Sequence, residues 1–211
     1  MSRSQGERAG LSRTGILDAA LRIVDEQGLP ALTMRRLATA LGVEAMTLYH
    51  HVPGKDALLD GLVERVCAPL AEAVPRHPPA EWARALHEYA CALRTTLLAH
   101  PALIGLVAER PASTPALLRA VEQGLGLLRA ADFPLGTALH LVNALTSFVL
   151  GHTRSEVATA ELTGPGSRTR LAELDEAEFP LLVTAARTGE GTADGDRFTL
   201  AVEAMLTGFA G

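Results

Sequence analysis

Two stretches of the chain carry side chains able to do chemistry. The first is "AMTLYHHVPGK", from Ala45 to Lys55. Thr47, Tyr49, His50 and His51 crowd one short segment there, and the chain's only lysine, Lys55, follows a Pro-Gly step. Hydroxyl, phenol, imidazole and ammonium groups all donate hydrogen bonds to anionic oxygen, so a set of them on one face suits phosphate. The second stretch is "HEYAC", from His87 to Cys91. It is one residue away from the helical zinc-protease motif, with Cys91 in the second ligand position. Histidine and thiolate both bind zinc, but no third ligand stands at a recognisable spacing. Residues four apart share a face on almost any helix, so the pair alone is weak. His77, His100, His140 and His152 show no tight ligand spacing either, and a Gly-rich phosphate loop is absent. No Ser-His-Asp arrangement stands out from residues so scattered.

The elements that must position the first stretch are helical. The 211 residues are 48% hydrophobic, enough for a sizeable core, and Ala, Leu and Arg dominate without strictly alternating β-branched runs. Ser12 can cap a helix from about Arg13 to Gln27, with Ile16, Leu17, Ala20, Leu21 and Val24 on one face and Gly28 as its stop. Thr33 caps a second, short helix carrying Leu37, Ala38 and Leu41, which Gly42 ends. A third runs from about Glu44 to His51, Pro53-Gly54 breaks the chain, and a fourth starts near Lys55. Beyond Ala68 the predicted helices lengthen. Pro75 to Ala80 reads as a loop. Helices follow at about Glu81 to Ala99, Leu103 to Ala108, Thr114 or Pro115 to Ala131, and Pro134 to about Glu156. Asp196 can cap a last one. The stretches "ELTGPGSRTR" and "TGEGTADGD" read as mobile, and the first ten residues as disordered.

Charge is unevenly spread. Met1 to Val66 holds eight Lys/Arg and eight Asp/Glu, so the whole net charge of −5 lies beyond it. Overall acidity argues against non-specific coating of nucleic acid, but a local footprint in the neutral part is compatible with it. Two cysteines, Cys67 and Cys91, make a poor disulfide framework and fit a reducing compartment. The polar N-terminus lacks the apolar core of a signal peptide, and no apolar run approaches the roughly 18 residues of a membrane span. A cytoplasmic protein without a membrane partner is expected.

Three short helices followed by a longer one suggest a helix-turn-helix, with Leu41-Gly42-Val43-Glu44 as the turn. Leu41, Val43, Leu48 and Val52 can point back onto the first helix. Ala45, Met46, Thr47, Tyr49, His50 and His51 are then left outward, able to touch base edges and phosphates. At these residues the chain resembles the TetR family of transcriptional regulators, through "ILDAAL", "LTMRRLATALGV", "TLYHHV" and "KDALLDGL" between Ile16 and Leu62. The remaining two-thirds resembles the tetracycline-repressor type of regulatory domain more loosely, in helix order and in "LTSFVLGH". The resemblance implies an all-α fold of about nine to ten helices. A helix-turn-helix DNA-binding domain would occupy 1–54 and a larger ligand-binding and dimerisation domain 55–211. It implies phosphate contacts for Thr33, Thr47, Tyr49, His51 and Lys55, and a base contact for Arg35, most naturally with guanine through two hydrogen bonds. Ala45 and Met46 stand where the tetracycline repressor uses glutamine and proline to read bases. Apolar contact with thymine methyls, with more reliance on Arg35 or His50, is the consequence.

In the larger part, Gly136, His140, Asn143, Ala144, Ser147 and Gly151 form a row of small and polar residues at helical spacing. With Gly208 on the last helix, the row reads as a homodimer face built from two helices of each partner. A small-molecule pocket is expected between the middle helices and the end of the fourth. Its candidate lining is Trp82, Leu86, Tyr89, Leu93, Leu106, Arg110, Phe133, Asn143, Phe148 and His152. The tetracycline repressor holds its drug-bound magnesium with a histidine and a glutamate. Leu106 or Val107, and Ser155, fall near those places here, so no metal or other cofactor is expected. The function these readings converge on is a ligand-responsive DNA-binding regulator, a repressor released from a palindromic double-stranded operator by an apolar or amphipathic effector. Two other classes stay open at this point: a helical module binding a protein partner in place of DNA, and a metal-dependent enzyme using His87, Glu88 and Cys91.

Overall fold

The structure is a computed structural model that describes residues 11–71, 77–110, 113–163, 167–189 and 193–210. Among them the chain forms eleven α-helices and no strand, with 3₁₀ turns at 29–31, 79–81 and 101–103. The first is α1 (Arg13–Gln27), where the Ser12 hydroxyl accepts from the Gly15 amide at 3.1 Å and satisfies one of the donors a helix start leaves open. Ile16, Leu17, Ala20, Ile23 and Val24 form its buried stripe. In α2 (Met34–Leu41) Thr33 repeats the device, accepting from the Arg36 amide at 3.1 Å. Gly42 then turns left-handed at φ +65°. Its amide donates to Thr39 O, and that of Val43 donates to Ala38 O. This pair of bonds closes the helix and sends the chain back within two residues, which a side chain at Gly42 would strain.

The helix that follows, α3 (Ala45–Tyr49), is little more than one turn, shorter than the Glu44–His51 expected from sequence. Too short to be stable alone, it is held by Leu48 and Val52, at 0% and 1% exposure. Burying a side chain of that kind contributes about 1.5–3 kcal/mol. α4 (Lys55–Ala71) crosses α1 at Gly61, where an added Cβ would lie 2.7 Å from Leu17 Cδ2. A side chain there would require Leu17 to shift. Arg65–Asp18 at 2.9 Å and Arg13–Glu64 at 3.4 Å flank the crossing.

α4 also serves the larger part. Its Leu58, Leu62, Val63 and Val66 join one continuous buried cluster that runs from Ile16 to Leu206. In that part α5 (Trp82–Ala99) lies against α8 (Leu135–Thr163), and α7 (Pro115–Ala130) packs on both α4 and α8. The short α6 (Ile104–Glu109) bridges α4 and α8, and α11 (Asp194–Ala210) closes over α5 and α8. At the end of α5, His100 Nδ1 lies 2.9 Å from Asp25 Oδ1, tying it back to α1. Among the described residues no single helix is long and apolar enough to cross a membrane.

The far end departs from the sequence reading. α8 continues seven residues past Glu156 to Thr163, and α9 (Ser167–Ala172) starts where "ELTGPGSRTR" was expected to be mobile. Glu, Leu and Arg are good helix formers, and the breakers are confined to Gly164–Gly166, outside the described residues. α10 (Pro180–Thr188) was not anticipated, because only Val183 and Ala186 on it are buried and no apolar stripe announces it. Pro180 in its first turn and Gly189 at its left-handed end were the available signals. α11 opens at Asp194, ahead of the expected cap at Asp196. The expected disorder of residues 1–10 lies outside the described residues.

Candidate functional site

The small N-terminal block has two sides. Its inner side is sealed by Leu37, Leu48 and Val52. The outer side carries Thr33, Arg35, Met46, Tyr49, His50, His51 and Lys55, all exposed, with Ala45 and Thr47 half-buried at their base. Met46 is 68% exposed and Tyr49 42%, unusual for side chains of their size. Arg35, Arg36 and Lys55 make no ion pair with any described residue. Three free cations thus surround an apolar ridge on a helix one turn long. Such a surface is suited to an anionic backbone flanking something flatter and less polar, the arrangement a DNA groove offers.

The second feature is a cavity of about 250 Å³ lined by residues of α4, α5, α6, α7 and α8. Five residues expected from sequence line it: Leu86, Tyr89, Leu93, Arg110 and Asn143. Sequence reading missed Val63, Cys67, Leu117, Thr146 and Leu150, and Val107 takes the wall position next to Leu106, which is buried in the core instead. These are ordinary apolar helix positions, and only the crossing of five helices turns them toward one space. Burial pushes the Tyr89 phenol up to about 12 and the Cys67 thiol up to about 11, so both face the cavity uncharged at neutral pH. Among the described residues the wall holds no histidine or carboxylate. At the end of α6, the Arg110 guanidinium donates to Asp60 Oδ1 and Asp56 Oδ1, both at 2.8 Å, on the first two turns of α4.

The other expected lining residues lie elsewhere. Trp82 and Phe133 meet edge to face with centroids 4.7 Å apart. Trp82 borders a separate groove with His87, Glu203 and Thr207. Phe148 and His152 pack with Phe198 of α11, at 5.3 to 5.7 Å between rings. Arg94 covers Phe198 and grips Glu156 by two bonds of 2.9 and 2.6 Å, pinning α5, α8 and α11 together. His152 sits against this pair, and burial lowers its pKa. These two residues belong to a structural knot, because they occupy the side of α8 that faces α11.

His87 and Cys91 do meet, with Nδ1 3.8 Å from Sγ, but Glu88 turns outward to Arg84 and His77. The hydrogen bond from Arg84 holds Glu88 below its ordinary carboxylate range, and burial raises the Cys91 thiol. Among the described residues no group of three or more His, Cys, Asp or Glu is placed to hold a metal ion. On α8 the row Gly136, His140, Asn143, Ser147 and Gly151 is exposed with Ala144 half-buried, and on α11 both Gly208 and Leu200 are exposed, Leu200 at 70%.

Residues 16–62 match the family described as bacterial regulatory proteins, tetR family, and residues 74–211 match the tetracyclin repressor-like C-terminal domain. The HTH-type transcriptional repressor DrrR1 of Streptomyces coeruleorubidus is 33% identical over 197 residues, covering 88% of this chain and 68% of that protein. Tetracycline repressor protein class D of Escherichia coli is 32% identical over 204 residues, covering 95% and 90%. The crystal structure of Streptomyces coelicolor ActR in complex with actinorhodin superposes with a TM-score of 0.79 at 30% identity, over 96% of this chain and 98% of that one.

Proposed function

The chain belongs to the TetR family of bacterial regulatory proteins, as a ligand-responsive DNA-binding transcriptional repressor, and from that premise we propose that α3 enters the major groove of a palindromic operator. Thr33, Thr47, Tyr49, His51 and Lys55 hold phosphates on either side of it. Arg35 reads a base, most naturally guanine, while Ala45 and Met46 press on thymine methyls and His50 reaches a further base edge. The observation that carries this reading is the outer face itself: Met46 and Tyr49 are exposed and the nearby cations are unpaired, while Leu48 between them is sealed in the core.

Residues 1–54 form the DNA-binding unit and 55–211 the regulatory unit of a cytoplasmic homodimer. The exposed rows of α8 and α11 supply its interface, and the two copies of α3 stand about 35 Å apart, one turn of duplex. The effector is an apolar or amphipathic molecule that occupies the cavity under α4. It favours a dimer whose α4 helices have tilted and whose recognition helices no longer match the groove spacing, and it shifts the balance only by its preference for that form. ActR crystallised with actinorhodin supports a bulky organic effector. That the described wall residues include no histidine or carboxylate supports one that brings no metal.

The test is titration of a palindrome from the gene's own neighbourhood at several salt concentrations. Lys55→Ala and Tyr49→Phe each weaken binding evenly across sequences, and Lys55→Ala lowers the slope of log affinity on log salt by about 1. Unchanged affinity and slope in correctly folded variants would remove α3 and Lys55 from the interface.

A further inference from the structure

Among the described residues the cavity wall contains one ionised side chain, Arg110, among neutral ones. Its guanidinium is engaged on the far side by Asp60 and Asp56, which are not part of the wall. A molecule in the cavity therefore meets a positive charge before it meets a negative one. The two ion pairs are unequal in cost to separate. Asp56 is 89% exposed, so water screens its bond and solvates the carboxylate when it leaves, whereas Asp60 is 29% exposed. Of the five N–H donors on Arg110, two are used in 2.8 Å bonds and a third contact, to the Asp56 carbonyl, is long at 3.4 Å. The guanidinium is a flat fork matched to a carboxylate, and it has donors to spare.

We propose, building on the regulatory reading above, that the effector is an organic acid: an apolar ring body carrying a carboxylate, which takes Arg110 out of its fork with Asp56 and Asp60. The ring body buries itself against Leu86, Leu93, Val107 and Leu117, and that burial offsets the cost of breaking the aspartate bonds. The new bond is a charge-assisted pair formed against a largely apolar wall, with Arg110 itself a quarter exposed. A neutral ring compound lacks the group that competes for Arg110. An amine is repelled by the guanidinium it meets first.

The exchange also says how the cavity speaks to the DNA face. Asp56 is the residue after Lys55, and Asp60 lies one turn further along α4. The fork is a direct ion-pair tie from the end of α6 to the start of the helix that carries the Lys55 phosphate contact. Once the acid holds Arg110, that tie is gone and α4 is free to tilt. Linkage then requires the reverse as well: weakening the tie from the aspartate side raises the affinity for the acid.

The experiment measures binding to the purified full-length chain, without DNA, using matched probes: naphthalene-2-carboxylate and anthracene-2-carboxylate against their primary amides. The acids are expected to bind at least about tenfold more tightly than the amides. Arg110→Gln abolishes that preference, Arg110→Lys reduces it by losing the fork, and Asp60→Asn increases it. Circular dichroism and melting of each variant separate loss of preference from loss of fold. Amides binding as tightly as the acids, no binding of either acid at millimolar concentration, or an acid preference that survives Arg110→Gln overturns the proposal. The operator titration is a separate assay. Acid preference without DNA binding would sink the regulatory reading alone, and DNA binding without acid preference would sink this inference alone.

Discussion

The N-terminal block and the cavity beneath it solve opposite problems. In the block, a tight core of Ile16, Leu37, Leu48 and Val52 faces inward, and the side chains proposed to meet DNA face out, with Arg35 and Lys55 exposed and in no ion pair among the described residues. Around the cavity the side chains proposed to meet the effector line its wall, the charged one is tied to partners, and neighbouring phenol and thiol are held neutral by burial. The block needs only rigidity, which short capped helices and a glycine crossing supply. The regulatory part needs to be able to rearrange, and its ties are ion pairs and knots between long helices that can exist made or broken. A surface that recognises and an interior that responds therefore show opposite burial of their polar groups.

Substitutions can break that contrast, and the largest effect belongs to the interior. Arg94→Ala leaves Glu156, 17% exposed, without its partner and strips the cover from Phe198. A loss of about 3 kcal/mol is expected, seen as a lowered denaturant midpoint. An unchanged midpoint would show that the α5–α8–α11 knot is not a stabilising unit. Gly61→Val comes next, at about 1–3 kcal/mol, since its Cβ would lie 2.7 Å from Leu17 Cδ2 and the added bulk overpacks the crossing of α1 and α4. Here operator affinity should fall together with stability, because the block's mount has moved.

Arg35→Ala sharpens the contrast from the other side. Discrimination at one or two base pairs drops by about 1–3 kcal/mol in a binding assay on permuted operators. Melting should stay within about 0.5 kcal/mol of the parent, as for other free surface side chains. A large stability loss would mean that the outer face is part of the core after all.

The smallest effect is on pH. Burial lowers the His152 pKa, with the charges of Arg94 and Arg197 pulling the same way and Glu156 pulling against them. The unfolded chain therefore takes up the proton more readily. This group's contribution to stability is present above its ordinary pKa of about 6.5 and is lost as pH falls below it. His152→Leu should flatten the acid side of the stability profile between about pH 6.5 and 5 in a melting series. An identical slope in the variant would remove His152 from the account.

Legibility followed the same division. Ser12, Thr33, Gly28 and Gly42 announced α1 and α2 to the residue, because caps act within three or four positions of the chain. The outward residues from Ala45 to His51 came from a short, dense pattern, and Thr33, Arg35 and Lys55 were added by the family resemblance. Half of the expected cavity lining, by contrast, sits elsewhere. Trp82, Phe133, Phe148 and His152 are large and aromatic, which is how lining residues look, but also how structural knots look. Gly61 gave no local signal at all, since its reason lies in Leu17, forty-four positions away.

What the sequence by itself determined is the set of helices at the N-terminal end, the turn between α2 and α3, and which side chains there cannot be buried. Those follow from hydrogen bonds and apolar spacing within a few residues. What only the tertiary structure decided is the cavity, the Arg94 knot and the tie from Arg110 to Asp56 and Asp60. Each joins residues fifty or more positions apart, and periodicity shows that a helix has an inner face but not which helix that face will meet.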